Sequence, residues 1–210
     1  MIPSLLRYGT YLTLLGACTA SMGCNNPSSP PAAVYIQATV GPTAAQTCPQ
    51  VSTKPVLDVG TGTGGTPTTV DDQGNGSSGQ VSVTCTVHPS GNGFDVDLET
   101  NMQGTQGGSV VITTPSGDGR VTTGTSTGVT AHFLGNMTGG PYVDTNCTIT
   151  YTYMGSDINL SPLVAAGRIW GHIDCPHAQD RSQMKTQPDG GVGPAECFAS
   201  ADFLFENCQQ

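Results

Sequence analysis

Several groups of side chains in this sequence have the types and spacing that chemistry requires. His172, Cys175 and His177 stand close together, and a thiolate with two imidazoles would hold zinc if Asp174 supplied a fourth donor. Oxidation competes with that use, because a cysteine outside the cytoplasm pairs with another cysteine more often than it binds metal. The expectation is therefore a disulfide beside surface histidines. Gly124-Thr125-Ser126-Thr127-Gly128 has the spacing of a nucleophile elbow, but a Gly/Thr stretch precedes it and strand-like Val129-Thr130-Ala131-His132-Phe133 follows, where the elbow needs a helix. Asp71-Asp72-Gln73-Gly74-Asn75-Gly76 offers oxygen donors and a turn, yet Ser82 stands where a calcium loop needs its closing glutamate. No catalytic residue, metal ligand or cofactor is expected from these groups.

A binding surface is the other use for such residues. Trp170 and His172 alternate along one predicted strand with Arg168 on the same side, so the guanidinium can stack over the indole and the three together form a candidate glycan or protein contact. Tyr151 and Tyr153 alternate with threonines, a pattern that serves a core as well as it serves sugar stacking.

The elements that position these residues have a period of two. Val81, Val83, Cys85 and Val87 alternate with Ser82, Thr84 and Thr86, and Phe94, Val96 and Leu98 alternate with Asp95, Asp97 and Glu99. His88-Pro89-Ser90-Gly91-Asn92-Gly93 supplies the turn between them, which makes an antiparallel hairpin with an acidic outer face. Further strands are expected at 34–40, 109–114, 129–134, 147–154, 164–174 and 197–207, where β-branched and aromatic residues predominate. In the last of these, Ala199, Ala201, Phe203 and Phe205 share a face. No segment carries helical spacing over several turns, and 178–185 is expected to form at most a short helical turn. The fold class is all-β, an antiparallel sandwich or barrel-like sheet supported by disulfides.

At the amino terminus, Arg7, the apolar run Tyr11-Leu12-Thr13-Leu14-Leu15 and then Gly16-Ala17-Cys18 have the plan of a signal peptide, and the run is too short to span a bilayer. Leu15-Gly16-Ala17-Cys18 resembles the lipobox of bacterial lipoproteins. The resemblance implies cleavage before Cys18, acylation of that residue and a lipid-anchored protein of the bacterial cell envelope, with Thr19 pointing to outer-membrane sorting. Cys24, after Ser21-Met22-Gly23, is the alternative site. It lacks the branched aliphatic residue three positions upstream, yet cutting there leaves an even six cysteines: Cys48, Cys85, Cys147, Cys175, Cys197 and Cys208. Residues 1–17 are thus the signal, 18–33 a Ser/Asn/Pro-rich tether and 34–210 a single β-rich domain.

Without Arg7 the chain carries 5 basic and 15 acidic side chains, a net charge of 5 − 15 = −10, which opposes nucleic-acid binding. The partners expected are the bilayer, through acyl chains, and an envelope protein or glycan. Cys175 closes one predicted strand and Cys197 opens the next, so these two are the favoured disulfide pair. One further resemblance lies at Val56-Leu57-Asp58-Val59-Gly60-Thr61-Gly62-Thr63-Gly64, which looks like the first motif of class I S-adenosylmethionine-dependent methyltransferases. It implies a parallel sheet with a helix directly after the glycines, and the sequence there offers proline and β-branched residues instead. The function expected is non-catalytic binding or structural display. The alternatives are an exported hydrolase or metal-dependent enzyme using Ser126 or the His172–His177 cluster and, more remotely, a methyltransferase.

Overall fold

The computed structural model describes residues 29–42, 48, 56–60, 67–74, 76–91, 93–104, 107–114, 125–135, 140–151, 164–187 and 189–210. Cys18, Cys24, Tyr153 and most of the expected tether lie outside them. Eleven strands are formed: Ala33–Pro42 (β1), Leu57–Val59 (β2), Val70–Asp71 (β3), Val81–Ser90 (β4), Gly93–Met102 (β5), Gly108–Thr113 (β6), Thr125–Gly135 (β7), Tyr142–Thr150 (β8), Val164–Ala165 (β9), Arg168–Thr186 (β10) and Val192–Glu206 (β11). All belong to one antiparallel sheet, nearly closed into a barrel, in the order β2-β1-β11-β10-β8-β7-β6-β5-β4, with β3 on β1 and β9 on β10. The fold is all-β, as the period-two patterning requires.

Alternation places one face of every long strand in the interior. Val83, Cys85 and Val87 of β4 are buried, as are Val96 and Leu98 of β5, and each such side chain contributes roughly 1.5–3 kcal/mol through burial. Opposite them in the core lie Ile36, Phe133, Ile149, Ile173 and Phe205, all nearly inaccessible. Gly171 is a core position of β10 paired with Phe203. A Cβ there would stand 3.0 Å from the Phe203 ring and 3.1 Å from Ile149, so the missing side chain leaves room for the phenyl group.

The two ends of the sheet meet at a seam made by side chains and the carboxyl terminus. β3 follows β1 with Val70 opposite Val34, and just beyond it Gln73 N donates to Val81 O at 2.9 Å while Asp72 Oδ1 accepts from Val83 N at 2.9 Å. Lower on β4, Val87 N donates to Gln209 O and Gln209 N to Cys85 O, a parallel bridge opposite Thr86. The Cys85–Cys208 disulfide fastens the same point. Edge groups of β4 that would otherwise invite another chain are thereby occupied.

The remaining bridges are Cys48–Cys197 and Cys147–Cys175. The expected pairing of Cys175 with Cys197 is overturned, because the β10–β11 register does not bring them opposite: Cys175 faces Ala199, and Cys197 faces Ala178. Instead, the β8–β10 ladder that pairs Ile149 with Ile173 and Thr148 with Asp174 carries Cys147 to Cys175, with 4.4 Å between their Cα atoms. The polar stretch between Cys175 and Cys197 contributes the far halves of β10 and β11. Residues 178–185 are strand and not a helical turn, since Ala178 and Asp180 resume the buried face of β10 after the register shift at Pro176 and His177.

Candidate functional site

Strand β10 carries Arg168, Trp170, His172 and Asp174 at alternate positions, each partly exposed on the outer face of the barrel. The Arg168 guanidinium carbon stands 5.7 Å from the centre of the Trp170 ring, a stacked cation on an aromatic face. Asp202 lies directly opposite His172 on β11. His172 Nδ1 is 2.8 Å from Asp202 Oδ1, and Nε2 is 3.1 Å from Asp174 Oδ1. Bonding both acceptors requires a proton on each ring nitrogen, hence an imidazolium. The hydrogen bond to Asp202 raises the His172 pKa above its usual 6.5, against partial burial, with Asp174 adding to the rise. The three residues selected from sequence as a contact surface are brought together, and they form a ladder of cation, ring and charged pair that can present stacking and hydrogen-bonding groups to a ligand.

A second concentration of polar groups lies where β10 leaves β8. Pro176 has no N–H to give, and the ladder is open between Asp174 and Gln179, where Asp144 fills the gap. Its Oδ2 accepts from His177 N at 2.9 Å and its Oδ1 from Asn146 N at 2.8 Å. Asp180 is 1% exposed, and its carboxylate accepts from Ser182 N, Ser182 Oγ and Gln183 Nε2 at 2.6 to 2.8 Å. These bonds secure the three-residue bulge before Met184. Outside them, His177 Nδ1 is 3.0 Å from Glu196 Oε1, and that bond raises the histidine's pKa. A depression of about 610 Å³ lined by Asp144, His177, Gln179, Asp180 and Ser182 opens here. The two buried acids escaped the sequence reading; the signal was their position in the apolar phase, next to Tyr142 and Ala178.

The Tyr142 hydroxyl is buried without a hydrogen-bond partner among the described residues, and burial first and the Asp180 charge second push its pKa up to about 12. Tyr151 is buried and donates to Ser126 Oγ at 3.0 Å. Burial raises its pKa too, and the Ser126 bond offsets part of the rise.

The other constellations are not assembled. Ser126 is 6% exposed inside the barrel, whereas His132 of the same strand is exposed outside, so the serine is a core hydroxyl without that histidine as base. Cys175 is bridged to Cys147, which removes it from any zinc site with His172 and His177; those histidines hold separate acids. Asp144, Cys147 and Cys175 group closely enough for a metal, but the two sulfurs are bonded to each other. Asp72 Oδ1 takes Gly74 N and Val83 N and serves the seam in place of calcium. Asp97 accepts from Thr113 Oγ1, and Asp95 lies 3.3 Å from His88 on the exposed hairpin. The methyltransferase resemblance fails on topology. β2 runs antiparallel to β1, and Thr68 N returns to Gly60 O at 3.0 Å, which feeds the chain into β3.

No family model, curated protein or solved structure matched the chain in comparisons with known proteins.

Proposed function

We propose that this chain is a lipid-anchored protein of the bacterial cell envelope whose barrel acts by binding or display. The observation that carries the reading is the distribution of its eight cysteines. Six are oxidised in three bridges, the pattern of a protein matured in an oxidising compartment. The two left over are Cys18 and Cys24, the lipobox cysteine and its alternative. Acylation at Cys18 anchors the chain, residues 18–33 give reach, and Thr19 suits sorting to the outer membrane.

The contact surface is the outer ladder of Arg168, Trp170 and His172, and its partner is an envelope protein or glycan. A stacked cation beside a ring offers an apolar plane, and the Asp202–His172–Asp174 group offers hydrogen bonds at its edge. Intact-mass measurement of the membrane-extracted protein, with and without reduction, tests the anchor. Added acyl mass on a fragment beginning at Cys18, with three bridges, is the expected result; an unprocessed chain with free thiols overturns it. Trp170 is the sole tryptophan, so its fluorescence reports ligands at the ladder directly. Titration with soluble envelope glycan fragments and envelope extracts is expected to shift that emission in the native protein and not in Arg168→Gln/His172→Gln.

A further inference from the structure

Strands β10 and β11 outrun their neighbours. β8 last pairs with β10 at Gln179, and β1 last pairs with β11 at Cys197, whereas β10 and β11 continue together through Met184–Pro194 to Thr186–Val192. The result is a two-stranded arm, beyond which Gln187 N donates to Gly191 O and Gly190 N to Gln187 O, with Gly190 at φ 84°. It projects from the end of the barrel opposite the tether. Ala33, just after the tether, pairs with Glu206, and at the rise of a strand the length of β11 sets the arm about 45 Å away.

The arm differs from the body that carries it. Met184 and Val192 are the most exposed large apolar residues among those described, at 58% and 70%. The register puts them on one face with Pro194. Arg181 and Lys185 are two of the three described lysine and arginine side chains in a chain of net charge −9, and they outnumber Asp189, the one acid between Arg181 and Pro194. Among the described residues, no strand pairs with Met184–Thr186 on the β8 side. An apolar strip, a cationic flank and an unpaired strand edge in one place are the components of strand addition.

We infer that the arm from Arg181 to Pro194 is a docking site for an extended acidic polypeptide, which adds to the edge of β10, sets apolar side chains on Met184 and Val192, and pairs carboxylates with Arg181 and Lys185. This deepens the binding reading by naming a partner class. A second copy of the chain is a poor occupant. Its acidic strip, Asp95 to Glu99, begins beside His88 at the end where Val87 meets Gln209, next to the tether, so copies anchored side by side hold it away from each other's arms. Lipid is the other apolar and anionic surface, but it cannot complete a ladder of N–H and C=O groups.

The test uses the full chain in detergent and a fluorescent ten-residue peptide alternating glutamate and valine. Saturable anisotropy is expected with this peptide and not with its lysine–valine counterpart. Affinity should fall on the order of tenfold in Arg181→Gln/Lys185→Gln and again in Met184→Ser/Val192→Ser, the scale of rim charges and an apolar anchor. Bound peptide should slow amide exchange at Met184–Thr186. Both variants alter exposed positions, and an unchanged Tm confirms that the barrel is intact. Equal affinity in the variants, no gain in amide protection, arm-dependent binding to phosphatidylglycerol vesicles without peptide binding, or a dimer abolished by the variants each overturns the inference. The Trp170 titration and the mass measurement read the broader function independently, so failure of the arm is distinguishable from failure of that reading.

Discussion

Replacing Cys85 and Cys208 with alanine removes the bridge at the barrel seam, and the topology sets the size of the effect. The two cysteines are 123 residues apart in sequence, but Cys48–Cys197 already shortens the path. With that bridge intact, the denatured loop runs from 48 to 85 and from 197 to 208, or 37 + 11 = 48 residues. Loop-closure entropy for such a length gives about 4 kcal/mol of destabilisation at 25 °C, equivalent to a fall in Tm of about 8–16 °C for a domain of this size. Guanidinium unfolding followed by circular dichroism, with the other two bridges intact, measures the difference. Hydrogen exchange locates it: amides of Val83, Val87 and Gln209, which bond across the seam, should lose protection before those of β7 and β8. A loss below about 1 kcal/mol, or uniform deprotection, would refute the argument, because Asp72 and the tail would then hold the seam without the covalent link.

Three other perturbations follow from the same structure. Tyr142→Phe deletes a buried hydroxyl that has no partner among the described residues and should leave stability unchanged or raise it by up to about 1 kcal/mol in urea unfolding; a loss above that would show the hydroxyl to be bonded. Asp144→Ala strands the His177 and Asn146 amides and should cost about 2–4 kcal/mol in the same assay, with Asp144→Asn costing less because one oxygen remains. His172 has a folded-state pKa above its unfolded value of 6.5, so its contribution is full below pH 6.5 and is lost as pH rises through the elevated value. NMR titration of the ring should show the rise, and Asp202→Asn should remove most of it.

Alternation in 81–98 revealed the β4–β5 hairpin and its acidic outside, and Phe203 and Phe205 share the buried face that their spacing demands. Arg168, Trp170 and His172 could be grouped because a strand places every second residue on one side. The second half of β10 was hidden for the converse reason. Asp180 occupies a core position as an acid, and Pro176 interrupts the pattern, so polarity there reads as loop until the hydrogen bonds that satisfy the carboxylate are seen. Disulfide partners were illegible because they depend on register. Because Cys175 faces Ala199, two residues past Cys197, one sulfur bonds Cys147 on β8 and the other Cys48, which lies outside the strands, and no local signal encodes such an offset. The carboxyl-terminal half of the seam was equally hidden, since the Cys85–Cys208 bridge and the Gln209 bonds to Cys85 and Val87 join residues more than a hundred positions apart.

Because β1 is sandwiched between β2 and β11, the first strand made must wait for the last. An emerging chain can zip β4 to β8 hairpin by hairpin, yet residues 33–42 find their main partner only when 197–206 arrive. Such long-range pairing slows folding, and it leaves β1 exposed to chaperones or to misplaced partners until residues 197–206 have been made. Truncation by even the final ten residues should therefore yield a chain that never matures, rather than a slightly weakened one.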